Sequence, residues 1–82
     1  MVIMSESKNL DLYIIGNNIR DLRERKQLTQ MKVVNDLGIS YTHYAKIEEG
    51  MRSMSLKMLF MLVTYFNTDA NTILGIDVKE VA

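Results

Sequence analysis

The run Val33-Val34-Asn35-Asp36-Leu37-Gly38-Ile39-Ser40 constrains this chain more than any other segment. Its apolar residues sit at helical spacing and stop at a glycine, and one aliphatic residue then leads to a serine. A glycine in that place can adopt the left-handed conformation that ends a helix. A serine caps the free N–H groups of the next helix. With only Ile39 between them, the two helices must turn sharply on each other, and Ile39 pins the turn to a core. Thr29 stands where it can cap the first of these helices, and Gly50 follows the second. Tyr44 and Ile47, three residues apart, hold that second helix down and turn Tyr41, Thr42, Ala45, Lys46 and Glu49 outward.

The same punctuation divides the rest of the chain. Ser55 and Asp69 are further caps, Gly75 a further stop, and Asn67 a substitute for glycine, while proline is absent. Five helices are expected at about 10–26, 29–37, 40–49, 55–66 and 69–74. Apolar stripes support them: Leu12, Ile15, Ile19 and Leu22 in the first; Val33, Val34 and Leu37 in the second; Leu56, Leu59, Leu62, Val63 and Phe66 in the fourth; Ile73 and Leu74 in the fifth. No period-two run is bounded by hairpin turns, so the fold class is all-α. Residues 1–8 are expected as a flexible N-terminal segment, 9–75 as one domain, and 76–82 as a C-terminal tail offering a dimer contact.

Composition excludes several functions. Hydrophobic residues make 48% of the 82 and charged residues 24%, a globular balance with room for one modest core. No apolar run is long enough to cross a bilayer, and Met1-Val2-Ile3-Met4 is too short, and lacks the basic flank, for a signal peptide. Without cysteine there is no disulfide framework and no thiolate metal site, which fits the cytoplasm. His43 is the sole histidine and has no second ligand at suitable spacing, so no metal is expected. There is no phosphate-cradling glycine loop and no nucleophile elbow, and Ser40 and Ser55 are accounted for as caps. The chain therefore reads as a non-enzyme without a cofactor. Ten basic residues balance ten acidic ones, but between Arg20 and Lys57 eight basic residues stand against five acidic.

Taken together, Ile15-Gly16-x-x-Ile19-x-x-Leu22-Arg23, Leu28-Thr29-Gln30, Leu37-Gly38-Ile39-Ser40, Lys46-Ile47-Glu48-x-Gly50, Ser55-Leu56 and Leu74-Gly75 resemble the Cro/phage-repressor (Xre-type) helix-turn-helix family. The resemblance implies a five-helix lambda-repressor-like domain whose third helix enters the major groove of double-stranded DNA. It implies that Gln30 binds a phosphate, that Tyr41, Thr42 and Lys46 face base edges, and that the loop Met51-Arg52-Ser53 touches the DNA backbone. His43 is grouped with Gln30, Arg52 and Ser53 as a backbone contact. Arg23 and Glu48 are implied to form a structural ion pair. Elementary chemistry agrees with part of this. The first turn of a helix favours an anion near Gln30, Lys46 can donate to guanine, and the Thr42 methyl can meet thymine. The family pattern is broken at Met31, Val34, Glu49 and Met54, and the Glu49 charge opposes a phosphate.

The implied function is a repressor-like transcriptional regulator that binds a pseudo-palindromic operator as a homodimer. Phage repressors, antitoxins, restriction–modification controllers and host regulators all share that description. The alternative is a protein-interaction module, or antitoxin-like partner, with weak DNA binding. The dimer contact is expected on the fifth helix and the tail, through Ile73, Leu74, Ile76, Val78 and Val81, unless the tail folds back as a lid. Met51, Met54, Met58 and Met61 read equally as a contact surface or as packing. The charged run Arg20–Lys26 reads as a solvated helix face.

Overall fold

The first turn of a helix leaves N–H groups without partners, and every helix here fills that gap with a short side-chain oxygen. The computed structural model describes residues 10–76. Asp11 accepts from the N–H groups of Tyr13 and Ile14 and opens α1 (Leu12–Arg25). Thr29 opens α2 (Gln30–Leu37), Ser40 opens α3 (Tyr41–Glu48), Ser55 opens α4 (Leu56–Phe66) and Asp69 opens α5 (Ala70–Leu74). The expected spans of α2 to α5 ran one or two residues longer because they took in capping residues. That of α1 ran three longer, taking in Leu10 as well as the caps Asp11 and Lys26. The segment 1–8 and the tail beyond Ile76, with Val78 and Val81, lie outside the described residues.

The helix ends follow the same local chemistry. Gly38 adopts a left-handed φ of 67° and lets the Ser40 cap of α3 follow two residues later. Asn67 takes over that role after α4 at φ 53°. At the end of α1 the left-handed residue is Gln27, at φ 58°, a position that no sequence signal marked.

The helices close around one core. Ile15 and Ile19 of α1, Val33 and Val34 of α2, Tyr44 and Ile47 of α3, Met58, Leu62 and Phe66 of α4, and Ile73 of α5 are all buried. α1 is the organising element, packed on both α3 and α5; α2 packs on α3, and α4 on α5. Side-chain bonds fix the seams. Asn18 Nδ2 donates to the Ile73 carbonyl at 3.1 Å, and the Tyr65 hydroxyl donates to Asp36 Oδ2 at 2.6 Å. Desolvation, reinforced by the Asp36 carboxylate, pushes the Tyr65 phenol up to about 12.

Helix α4 departs from expectation. Leu56, expected in the core stripe, is 83% exposed, and Met58 lies in the core instead. At 100° per residue, Met58, Leu62 and Phe66 form one face, and Leu56 and Phe60 fall on the opposite side. Phe60 is 70% exposed. The helix thus carries apolar residues nearly all round. The methionines divide accordingly: Met58 is packing, Met54 and Met61 are half-buried, and Met51 is exposed.

Candidate nucleic-acid interface

A short helix can present an outer face only if its inner face is anchored. In α3 the anchors are Tyr44, Ile47 and Glu48, all buried, and α1 supplies the surface they rest on. Tyr41 and Thr42 are exposed in the first turn, while His43 and Lys46 are half-buried. The Ser40 hydroxyl accepts from the His43 backbone N–H at 3.1 Å, which fixes where the helix begins. Gln30 lies in the first turn of α2 beside Tyr41. Arg52 and Ser53 are exposed in the loop between α3 and α4, a loop that Gly50 enters at φ 80°. Gly50 has no substitute there, since a Cβ would stand 2.9 Å from the Tyr13 Cα. Neither Lys46 nor Arg52 makes an ion pair among the described residues. The structure thus sets Gln30 against Tyr41, with Thr42 and Lys46 on the same helix and the Arg52 loop following it.

Behind that face lies a buried charge. Glu48 is 1% exposed, the one charged residue in the core among the described residues. Arg23 grips its carboxylate with a fork, Nε donating to Oε2 at 2.7 Å and Nη2 to Oε1 at 3.0 Å. The third guanidinium nitrogen donates to the Leu28 carbonyl at 2.8 Å and so closes the α1–α2 turn. Gln30 Nε2 also donates to Oε1, at 3.0 Å. Arg20 reaches the Glu48 backbone carbonyl at 2.9 Å. Burial by itself would raise the Glu48 carboxyl, but the bonds from Arg23 and Gln30 and the adjacent Tyr44 hydroxyl outweigh it and hold the group below its ordinary value. The Tyr44 hydroxyl, itself buried, has no partner in hydrogen-bond geometry; burial and the neighbouring carboxylate push its pKa far up.

Two sequence expectations change here. The charged run on α1 is not uniformly a solvated face, because Arg20 and Arg23 turn inward to α3 while Asp21 and Arg25 pair on the surface at 2.8 Å. Sequence reasoning also missed that Gln30 is engaged on both sides. Its amide nitrogen meets Glu48, and its carbonyl oxygen accepts from the Tyr41 hydroxyl at 3.1 Å. A glutamine opening a helix gives no sign of a partner eighteen residues away.

Among the described residues no helix is long and apolar enough to cross a membrane, and no cluster of His, Asp or Glu could hold a metal ion. Residues 16–76 match the model of a helix-turn-helix domain family. The antitoxin PezA of Streptococcus pneumoniae is 33% identical over 64 residues, 78% of this chain, although the chain spans only 40% of the antitoxin's length. The ImmF control region 10 kDa protein of Bacillus phage phi105 is 32% identical over 72 residues, covering 88% of this chain and 80% of that one. The crystal structure of the restriction–modification controller protein C.AhdI from Aeromonas hydrophila superposes with a TM-score of 0.71 at 27% identity, over 77% of this chain and 96% of that one.

Proposed function

We propose that this chain, which belongs to the Xre-type helix-turn-helix family of DNA-binding regulators, is a repressor-like regulator that recognises a pseudo-palindromic operator as a homodimer. The observation that carries the reading is α3, anchored by Tyr44, Ile47 and Glu48 with Tyr41 and Thr42 exposed and Lys46 unpaired among the described residues. Laid in a major groove, that face sets Tyr41, Thr42 and Lys46 against base edges, with Gln30, His43, Arg52 and Ser53 toward the backbone. One such helix spans few base pairs. Two copies related by a twofold axis place both helices in successive grooves, with half-sites ~34–36 Å apart.

Fluorescence anisotropy with random-sequence duplex at several salt concentrations tests DNA binding directly. Affinity should fall steeply as salt rises, because each neutralised phosphate releases counterions. A second reading, an interaction module with weak DNA affinity, draws on the exposed Leu56 and Phe60 and on the exposed Glu49. It requires little binding at any salt. Within the leading reading, Lys46→Ala should cost ~1–3 kcal/mol on a selected operator and relax preference at one base position. Gln30→Ala should weaken random duplex as well as a selected operator, since a phosphate contact is lost whatever the sequence. Unchanged binding in both variants would remove α3 from the groove.

The apolar outer face of α4 supports the dimer. A helix apolar all round normally has a partner on each side, and Leu56, Phe60, Leu10 and Ile76 are all exposed in the single chain. Phe60→Asp should therefore convert a dimer to a monomer in sedimentation equilibrium at tens of micromolar while leaving the monomer's helical content intact. A wild-type chain already monomeric at that concentration contradicts the dimer.

A further inference from the structure

The polar chain that starts at Glu48 has a direction, and the direction ends at the surface. A carboxylate can only accept hydrogen bonds. Gln30 must therefore turn its amide nitrogen to Glu48 Oε1, 3.0 Å away, which leaves its carbonyl oxygen facing Tyr41. A carbonyl oxygen also only accepts. The single proton of the Tyr41 hydroxyl is thus committed to Gln30 across 3.1 Å, and what the phenol oxygen offers outward is its lone pairs. Arg23, doubly bonded to the same carboxylate, keeps Glu48 from turning away.

We infer that Tyr41 is a specificity-determining residue that acts as a hydrogen-bond acceptor and selects a base carrying an amino group in the major groove, adenine or cytosine. This rests on the DNA-binding reading above and goes past it by fixing what one residue reads. In the major groove, adenine N6 and cytosine N4 are donors, whereas guanine O6 and N7 and thymine O4 are acceptors. Phosphate oxygens are acceptors too. An acceptor phenol meets the first pair and faces the others with lone pair against lone pair. Tyr41 is half-exposed in the first turn of α3, where recognition helices of this layout reach bases. Gln30 keeps a second amide hydrogen and can still donate it to a phosphate.

Selection of bound duplexes from a random library, run on the wild type, Tyr41→Phe and Gln30→Met, tests this. The wild type should enrich adenine or cytosine about fivefold at one position of each half-site, the worth of one neutral hydrogen bond. Tyr41→Phe should level that position and leave the others unchanged. Gln30→Met frees the phenol proton and should admit guanine or thymine there. A position that responds to Tyr41→Phe but favours guanine or thymine in the wild type overturns the inference, as does a motif indifferent to Tyr41→Phe. If the wild type selects no sequence, the DNA reading itself falls and this inference falls with it. Tyr41→Phe changes one exposed atom, so its result stands even if Gln30→Met loosens the fold.

Discussion

Adding a single methyl group at Gly16 should lower the melting temperature by about 10–20 °C. Gly16 lies buried in α1, directly against the end of α3. A Cβ there would stand 2.5 Å from the Ile47 carbonyl oxygen and 2.8 Å from the Glu48 carbonyl carbon, with the Glu48 oxygen closer still. These are backbone atoms at the end of a helix, so no side-chain rotation relieves the clash and α1 must lift from α3. Overpacking in a rigid core costs ~1–3 kcal/mol and sometimes more, and in domains of this size each kcal/mol moves the midpoint by about 4–8 °C. The sign is informative. On an exposed helix, Gly→Ala would stabilise by about 1 kcal/mol, so a melt at or above the wild-type temperature would mean that the two helices are not in contact. A circular dichroism melt of Gly16→Ala decides it.

The second large effect belongs to Arg23. Arg23→Ala removes both arms of the fork on Glu48 and strands a carboxylate in the core, at an expected cost of ~3–5 kcal/mol. Arg23→Lys should recover only part of it, because an ammonium cannot reproduce two parallel bonds and also reach the Leu28 carbonyl. The pair also sets a pH dependence. Glu48 has its folded pKa below the unfolded value, about 4.3 for a free glutamate. Its contribution is therefore fully present above that pH and is lost as pH falls through the depressed folded value. Asp36 and Asp69 are held low as well, Asp36 by the Tyr65 hydroxyl and Lys32, Asp69 by the Thr72 N–H it caps, and they add to the same acid limb. Urea midpoints of wild type and Glu48→Gln between pH 7 and pH 3 isolate Glu48. The variant should be less stable at neutral pH and lose less over the interval; parallel curves would remove Glu48 from the acid response.

What the sequence disclosed and what it hid differ by range of interaction. Thr29, Ser40, Ser55 and Asp69 announced helix starts because a cap acts over three residues, and Gly38 announced the turn because its φ is a property of one residue. Asp11 acts in the same way but was overlooked ahead of an expected start at residue 10. Leu56 misled because it fits the three- and four-residue spacing of α4, and only packing decides which of two apolar faces turns inward. Gln27 adopts a left-handed φ without the composition that usually marks one. The outer face of α3 could be assigned once Tyr44 and Ile47 were read as anchors. The tie from Gln30 to Glu48 and Tyr41 could not be, since it joins three helix termini that only the folded chain brings together.

Along α3 the residues that pack and the residues that face outward interleave without overlapping. Tyr44, Ile47 and Glu48 carry the scaffold, while Thr42 and Lys46 make no side-chain hydrogen bond or ion pair to the rest of the described domain. Those two positions can change without loosening the fold, so under the proposed DNA reading a base preference can shift one substitution at a time while the core is kept. Tyr41 is the exception. Its hydroxyl is the far end of a chain rooted in the core, and replacing it leaves the Gln30 carbonyl without its bond. Its freedom to vary is therefore coupled to that of Gln30, and new residues at these two positions are expected to arise as matched pairs.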